Sequence, residues 1–138
     1  MDDTTRHSQE RSFQWGRWIS LFCAFSFIIL GLDAGMSHMS VLGSSFFPYI
    51  PIIVAPVATL LSLAAVFWVS WRRLAWIAGV LAFAVGIAGG LFHNALTLIE
   101  GEGLPLLDAL LYATRPPFAP LAFASTGVLM LFVAWAER

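Results

Sequence analysis

Leu74–Leu98 reads LAWIAGVLAFAVGIAGGLFHNALTL, an apolar run without a charged side chain. It is long enough to cross a hydrocarbon core, which takes about 20 residues of helix. Three more stretches have the same character, Trp18–Ser40, Pro48–Trp71 and Pro116–Ala136. The composition agrees: 59% of the 138 residues are hydrophobic, 11% are charged, and lysine is absent. Soluble domains carry about 25% charged residues. The chain therefore reads as an all-α integral membrane four-helix bundle, with a polar tail over 1–17 and one membrane domain over 18–138. Within the tail, Met1–Gln14 is expected to lack fixed structure.

The first span has a basic flank, as a secretory signal peptide does. Its apolar run continues past the usual length of such a peptide, and Asp33-Ala34-Gly35 is a poor cleavage site, so the span is expected to be retained. A net charge of −1 offers nothing to nucleic acid. The single cysteine, Cys23, cannot form an internal disulfide.

Four spans place the tail, the Arg72-Arg73 turn and the C-terminus on one side. Arg6, Arg11, Arg17, Arg72, Arg73 and Arg138 lie on that side and only Arg115 lies opposite. The positive-inside rule makes that side cytoplasmic, with both termini in the cytoplasm. All six tryptophans, Trp15, Trp18, Trp68, Trp71, Trp76 and Trp135, fall at the same boundary, as an interfacial belt should. Tyr49, Tyr112, Glu100, Glu102 and Asp108 mark the other face.

One spacing recurs inside two of the runs. Gly31-Leu-Asp-Ala-Gly35-Met-Ser-His38 and Gly86-Ile-Ala-Gly-Gly90-Leu-Phe-His93 each place a histidine beyond two glycines. Steps of four and then three return to nearly one azimuth of a helix, so each histidine extends a glycine stripe. The first and third spans run in the same direction, and each histidine comes near its outer end. His38 and His93 are thus expected at one depth, on the periplasmic side, together with Asn94, Arg115, Met36 and Met39. The even spans echo each other as well, through Val54-Ala55-Pro56-Val57-Ala58 and Phe118-Ala119-Pro120-Leu121-Ala122. Together these matches suggest two parallel-repeat helical hairpins related by an axis along the membrane normal, which would bring the two histidines face to face.

Two facing imidazoles are good ligands for haem iron or copper. Haem b between them needs room beside the porphyrin, which glycine supplies, and Arg115 can pair with a propionate. Copper is the alternative, because Met36 and Met39 set soft thioethers around His38. Zinc lacks further ligands at a familiar spacing. The same residues also support a reading with no ligand. Gly-x-x-x-Gly lets two backbones approach closely, so Gly31, Gly35, Gly86 and Gly90 become structural packing positions and the histidines only hydrogen-bond across the contact. Asp33 lies on another face of its helix and is no partner of His38. Between the third and fourth spans, Gly101, Gly103 and Pro105 end a helix. Leu104–Leu111, interrupted by Asp108, reads as a helical turn on the outer interface.

No hydrolytic triad, phosphate loop or His-Glu-x-x-His pattern is present, so nothing in the chain argues for an enzyme. Gly90-Leu91-Phe92-His93 and Arg115-Pro116-Pro117-Phe118-Ala119-Pro120-Leu121-Ala122-Phe123-Ala124 resemble a group of small, uncharacterised four-span bacterial membrane proteins. The resemblance implies a bacterial inner-membrane location and carries no activity or site. The sequence thus points to a small accessory or electron-transfer subunit with haem held by His38 and His93. Its partners would be the lipid bilayer and a larger membrane complex or further copies of itself. A purely structural or assembly subunit and a periplasm-facing copper-handling protein are the alternatives.

Overall fold

The computed structural model describes residues 3–100, 103, 105, 108 and 119–136. Helix α1 spans Asp3–His38 and runs into a 3-10 turn at Met39–Val41. Helix α2 spans Tyr49–Phe67, a single turn α3 covers Val69–Arg72, α4 spans Ala75–Glu100 and α5 spans Ala119–Ala136. Four helical stretches are long and apolar enough to cross a membrane: Gln14–Val41, Tyr49–Phe67, Val69–Leu96 and Ala119–Ala136. The sequence-predicted Arg115, Pro116 and Pro117 lie outside the described residues, as does most of the expected turn over 104–111.

Helix α1 departs from the expected pattern at its start. Its 36 residues extend about 54 Å, well beyond a hydrocarbon core of about 30 Å. The excess is the segment over 3–14, expected to lack structure and found helical. No glycine or proline interrupts it before Gly16. A helix continued outward from a formed span also avoids the cost of nucleation.

The second span ends earlier than expected. Trp68 turns extended (φ −125°, ψ 117°) after Phe67, while its N–H still bonds the Ala64 carbonyl at 2.9 Å. The break frees the last carbonyls of α2, and Arg72 turns back to meet one: its Nε donates to the Ala65 oxygen at 3.1 Å. Arg72 is fully buried there while Arg73 is exposed. A cation at a helix C-terminus is favoured by the helix dipole as well as by the hydrogen bond. Thus only one of the two adjacent arginines acts as a surface anchor. All six tryptophans are exposed at the end of the bundle where α1 begins and α5 finishes, where an interfacial belt is useful.

The four long helices form a ring. The α4–α5 contact is the most extensive and α1–α2 the next, while α2–α4 and α1–α5 close the other two sides. Helices α1 and α4 are therefore diagonal and parallel. Small residues dominate the interior, with Ala55, Ala58, Ala65, Ala75, Ala78 and Ala82 buried. Phe27 and Phe123 meet between α1 and α5 with ring centroids 6.0 Å apart. Lipid tails are as apolar as leucine, so close packing rather than escape from water drives such helices together.

The glycines show where the packing is tightest. A Cβ on Gly86 would run into the Ala124 backbone nitrogen and lie 2.6 Å from the Pro120 oxygen. One on Gly127 would meet the Phe83 nitrogen at 2.6 Å and the Gly79 oxygen at 2.7 Å. Gly31 faces the Ala55 Cβ at 2.7 Å, and Gly90 meets the Leu121 Cδ2 at an ordinary 3.5 Å. Gly35 has no such neighbour within 4 Å. Gly86→Ala should destabilise the bundle by about 1–3 kcal/mol through overpacking. Gly35→Ala should gain up to about 1 kcal/mol from helix propensity alone. Reversible unfolding of both variants in mixed micelles measures the contrast, and equal effects would refute this assignment of the tight contact.

Candidate functional site

The two histidines come from the diagonal helices. His38 is the last residue of α1, and His93 lies in the last third of α4. Because α1 and α4 run in parallel, residues near corresponding ends share one end of the ring. Their imidazole centroids are 6.0 Å apart with the planes inclined at 57°. Both side chains are half-buried, as is that of Asn94.

His38 is held by its own helix. Its Nδ1 lies 2.8 Å from the Ala34 carbonyl oxygen. A carbonyl can only accept, so Nδ1 carries the hydrogen and donates it. In the neutral ring, Nε2 then keeps its lone pair. A metal-ligating histidine is commonly oriented in this way, by an N–H to a backbone carbonyl on the far side of the ring. The 6.0 Å separation is informative too. Two imidazoles joined by a direct, in-line N–H···N bond would have centroids about 5 Å apart. Two rings bound to opposite sides of one metal ion, at about 2.0 Å per bond, bring the centroids to about 6 Å.

Aromatic side chains flank this pair. Phe92 contacts the His93 ring edge-on at 6.5 Å. It also stacks on Phe47, from the segment leading into α2, at 6.3 Å and 18°. Neither phenylalanine was singled out by the sequence reasoning. The signal that could have found them is Phe46-Phe47-Pro48, an aromatic pair directly before a helix start, where an apolar residue often packs back on its neighbours.

The remaining predicted residues separate. Met36 and Met39 are 69% and 72% exposed, so their thioethers are not packed into the interior with the imidazoles. Arg115 lies outside the described residues. Asp33 is half-buried. Gly35, one turn before His38, leaves open space beside α1, whereas Gly90 is covered by Leu121 and Pro120. Among the described residues, no group of three or more His, Cys, Asp or Glu side chains could hold a metal ion.

No protein-family model, curated protein or solved structure matches the chain.

The His38–His93 approach is testable without any ligand. In a Cys23→Ala background, the His38→Cys/His93→Cys pair should be joined within one chain by a short bis-thiol reagent. The Met36→Cys/His93→Cys pair should react about fivefold less, because proximity sets the effective concentration. Gel mobility and intact mass report the yield, and equal yields would separate the two histidines.

Proposed function

We propose that this chain is a small accessory or electron-transfer subunit of the bacterial inner membrane, in which His38 and His93 ligate haem b near the periplasmic face. The observation that carries the reading is the imidazole pair, 6.0 Å apart, with His38 Nδ1 bound to the Ala34 carbonyl. That hydrogen bond makes Nε2 the available ligand atom and increases its basicity. The open space beside Gly35, where an added Cβ would meet nothing within 4 Å, leaves room for a flat macrocycle. Arg115 is the candidate partner for a propionate. Haem held by two histidines exchanges single electrons with little rearrangement. The Ala34 carbonyl sets the His38 ring orientation, and the Phe47–Phe92 stack lies beside the pair.

The wider setting is part of the same proposal. Six arginines on one side of the bundle argue that the termini are cytoplasmic and the histidines periplasmic. Gly31 packing on Ala55, and Gly86 packing on Pro120 within the echoed Ala-Pro segment, support two related hairpins. A four-helix subunit with two protein ligands needs a redox partner, so a larger membrane complex or a homo-oligomer is expected around it.

Copper is the second reading, and one observation favours it. The two rings already stand at a separation that suits a single ion without a macrocycle between them. Met36 and Met39 could then act only at the edge of the site, since both are largely exposed. A structural subunit with no ligand is the third reading, supported by the glycine contact between α4 and α5.

Purification from haem-replete cells, with reduced-minus-oxidised spectra and metal analysis, distinguishes the three. Wild type should carry a low-spin bis-histidine haem spectrum. His38→Ala and His93→Ala should each lower occupancy more than about tenfold while circular dichroism stays unchanged. A flat spectrum with stoichiometric copper would select the second reading, and neither ligand in a folded bundle would leave the third.

A further inference from the structure

Among the described residues, the buried hydroxyls in the other half of the bundle have partners, with one exception. Thr59 donates to the Ala55 carbonyl at 2.9 Å and Thr126 to the Ala122 carbonyl at 2.8 Å. Ser62 Oγ meets the Met130 Sδ at 3.5 Å. Ser20 is fully buried, yet its Oγ has no hydrogen-bond partner among the described residues. A buried hydroxyl left in that state calls for a missing ligand or water.

Ser20 sits three residues before Cys23 on α1, on the same helix face. Cys23 is also fully buried, and its Sγ lies 3.9 Å from the Thr126 carbonyl of α5. Met130 follows Thr126 by one turn. Helical side chains lean toward their own N-terminus, so the Met130 thioether returns over the turn that Cys23 touches. Cys23 and Met130 belong to one buried cluster. A thiol and a thioether thus share one buried cluster, with the unsatisfied hydroxyl one turn from the thiol on the same face of α1 and Ser62 of α2 against the thioether.

We propose that Cys23 and Met130 form a second, internal site for a soft monovalent cation, Cu(I) in the cell, with Ser20 donating its hydroxyl hydrogen to the Cys23 sulfur. Binding replaces the thiol proton: the S–H bond breaks, a sulfur–metal bond forms, and the proton leaves to water without any change in oxidation state. The thiolate and a monovalent cation neutralise each other, which suits a low-dielectric interior; a divalent ion would leave a net buried charge. Thiolate and thioether ligands select Cu(I) over harder ions. The Ser20 hydroxyl then gains the partner it otherwise lacks.

The site is separate from the histidines, so its test can be separated from theirs. The full chain carrying His38→Ala and His93→Ala is purified in detergent and titrated with Ag(I), a redox-inert stand-in, in chloride-free buffer. Cu(I) is titrated anaerobically against a chromophoric chelator. One equivalent of each ion should bind, with a sulfur-to-metal charge-transfer band in the ultraviolet. X-ray absorption should find two sulfur neighbours. Cys23→Ala should abolish the band, Met130→Leu should weaken binding about tenfold and leave one sulfur, and Ser20→Ala should weaken binding while keeping both. The proposal is overturned if stoichiometry does not depend on Cys23, or if Met130→Leu changes neither affinity nor sulfur count. The absorption spectrum of the His38→Ala/His93→Ala chain with Cys23, Met130 and Ser20 intact decides even if a further variant fails to fold, since one sulfur neighbour there is enough to refute the site.

Discussion

The close approach of α4 and α5 is the contact on which the rest of the bundle depends. Gly79 and Gly86 on one helix, with Gly127 and Ala124 on the other, bring main chain against main chain. In lipid this is the strongest means of association, because dispersion and weak C–H···O contacts act over the whole crossing while apolar burial contributes little. The crossing sets the rotation of α4 about its own axis. With Gly86 turned toward α5, His93, seven residues and nearly two turns further on, is held near the same azimuth. The α4–α5 crossing thus fixes the azimuth from which His93 projects.

Much of this was legible in the sequence. The four apolar runs predicted four helices, and hydrophobic length in a chain so poor in charge leaves little room for another solution. The glycine–glycine–histidine spacing pointed to His38 and His93 as a pair, and the structure brings their rings to 6.0 Å. Periodicity carries this information well because a rigid helix converts spacing directly into direction. What ligand, if any, the pair holds is not written in that periodicity.

Other features escaped because they depend on contacts between distant segments. The four glycines of the repeat look equivalent in sequence. In the fold Gly86 lies against backbone, Gly31 against an alanine and Gly35 against nothing, since each outcome depends on the partner helix. Arg72 and Arg73 are likewise indistinguishable as neighbours. Only the break at Trp68, which frees the Ala65 carbonyl, decides which arginine turns inward. The first turns of α1 were misread for a different reason. Polar composition resembles that of a disordered tail, but composition does not record that a helix already nucleated in the membrane extends with little further cost.

The ring arrangement also constrains any chemistry at the histidine end. In four alternating helices the parallel pair is necessarily diagonal, so two residues at matching depth on α1 and α4 meet across the bundle axis rather than along one side. A ligand held between them must reach in from one of the flanks. The two flanks differ: Gly90 is closed by Leu121 and Pro120, whereas Gly35 opens onto free space. The α1 side therefore offers the roomier approach, and there the Ala34 carbonyl fixes the His38 ring. His38 thus stands on the open flank with its ring fixed, and His93 faces it from the opposite helix at a ring separation of 6.0 Å.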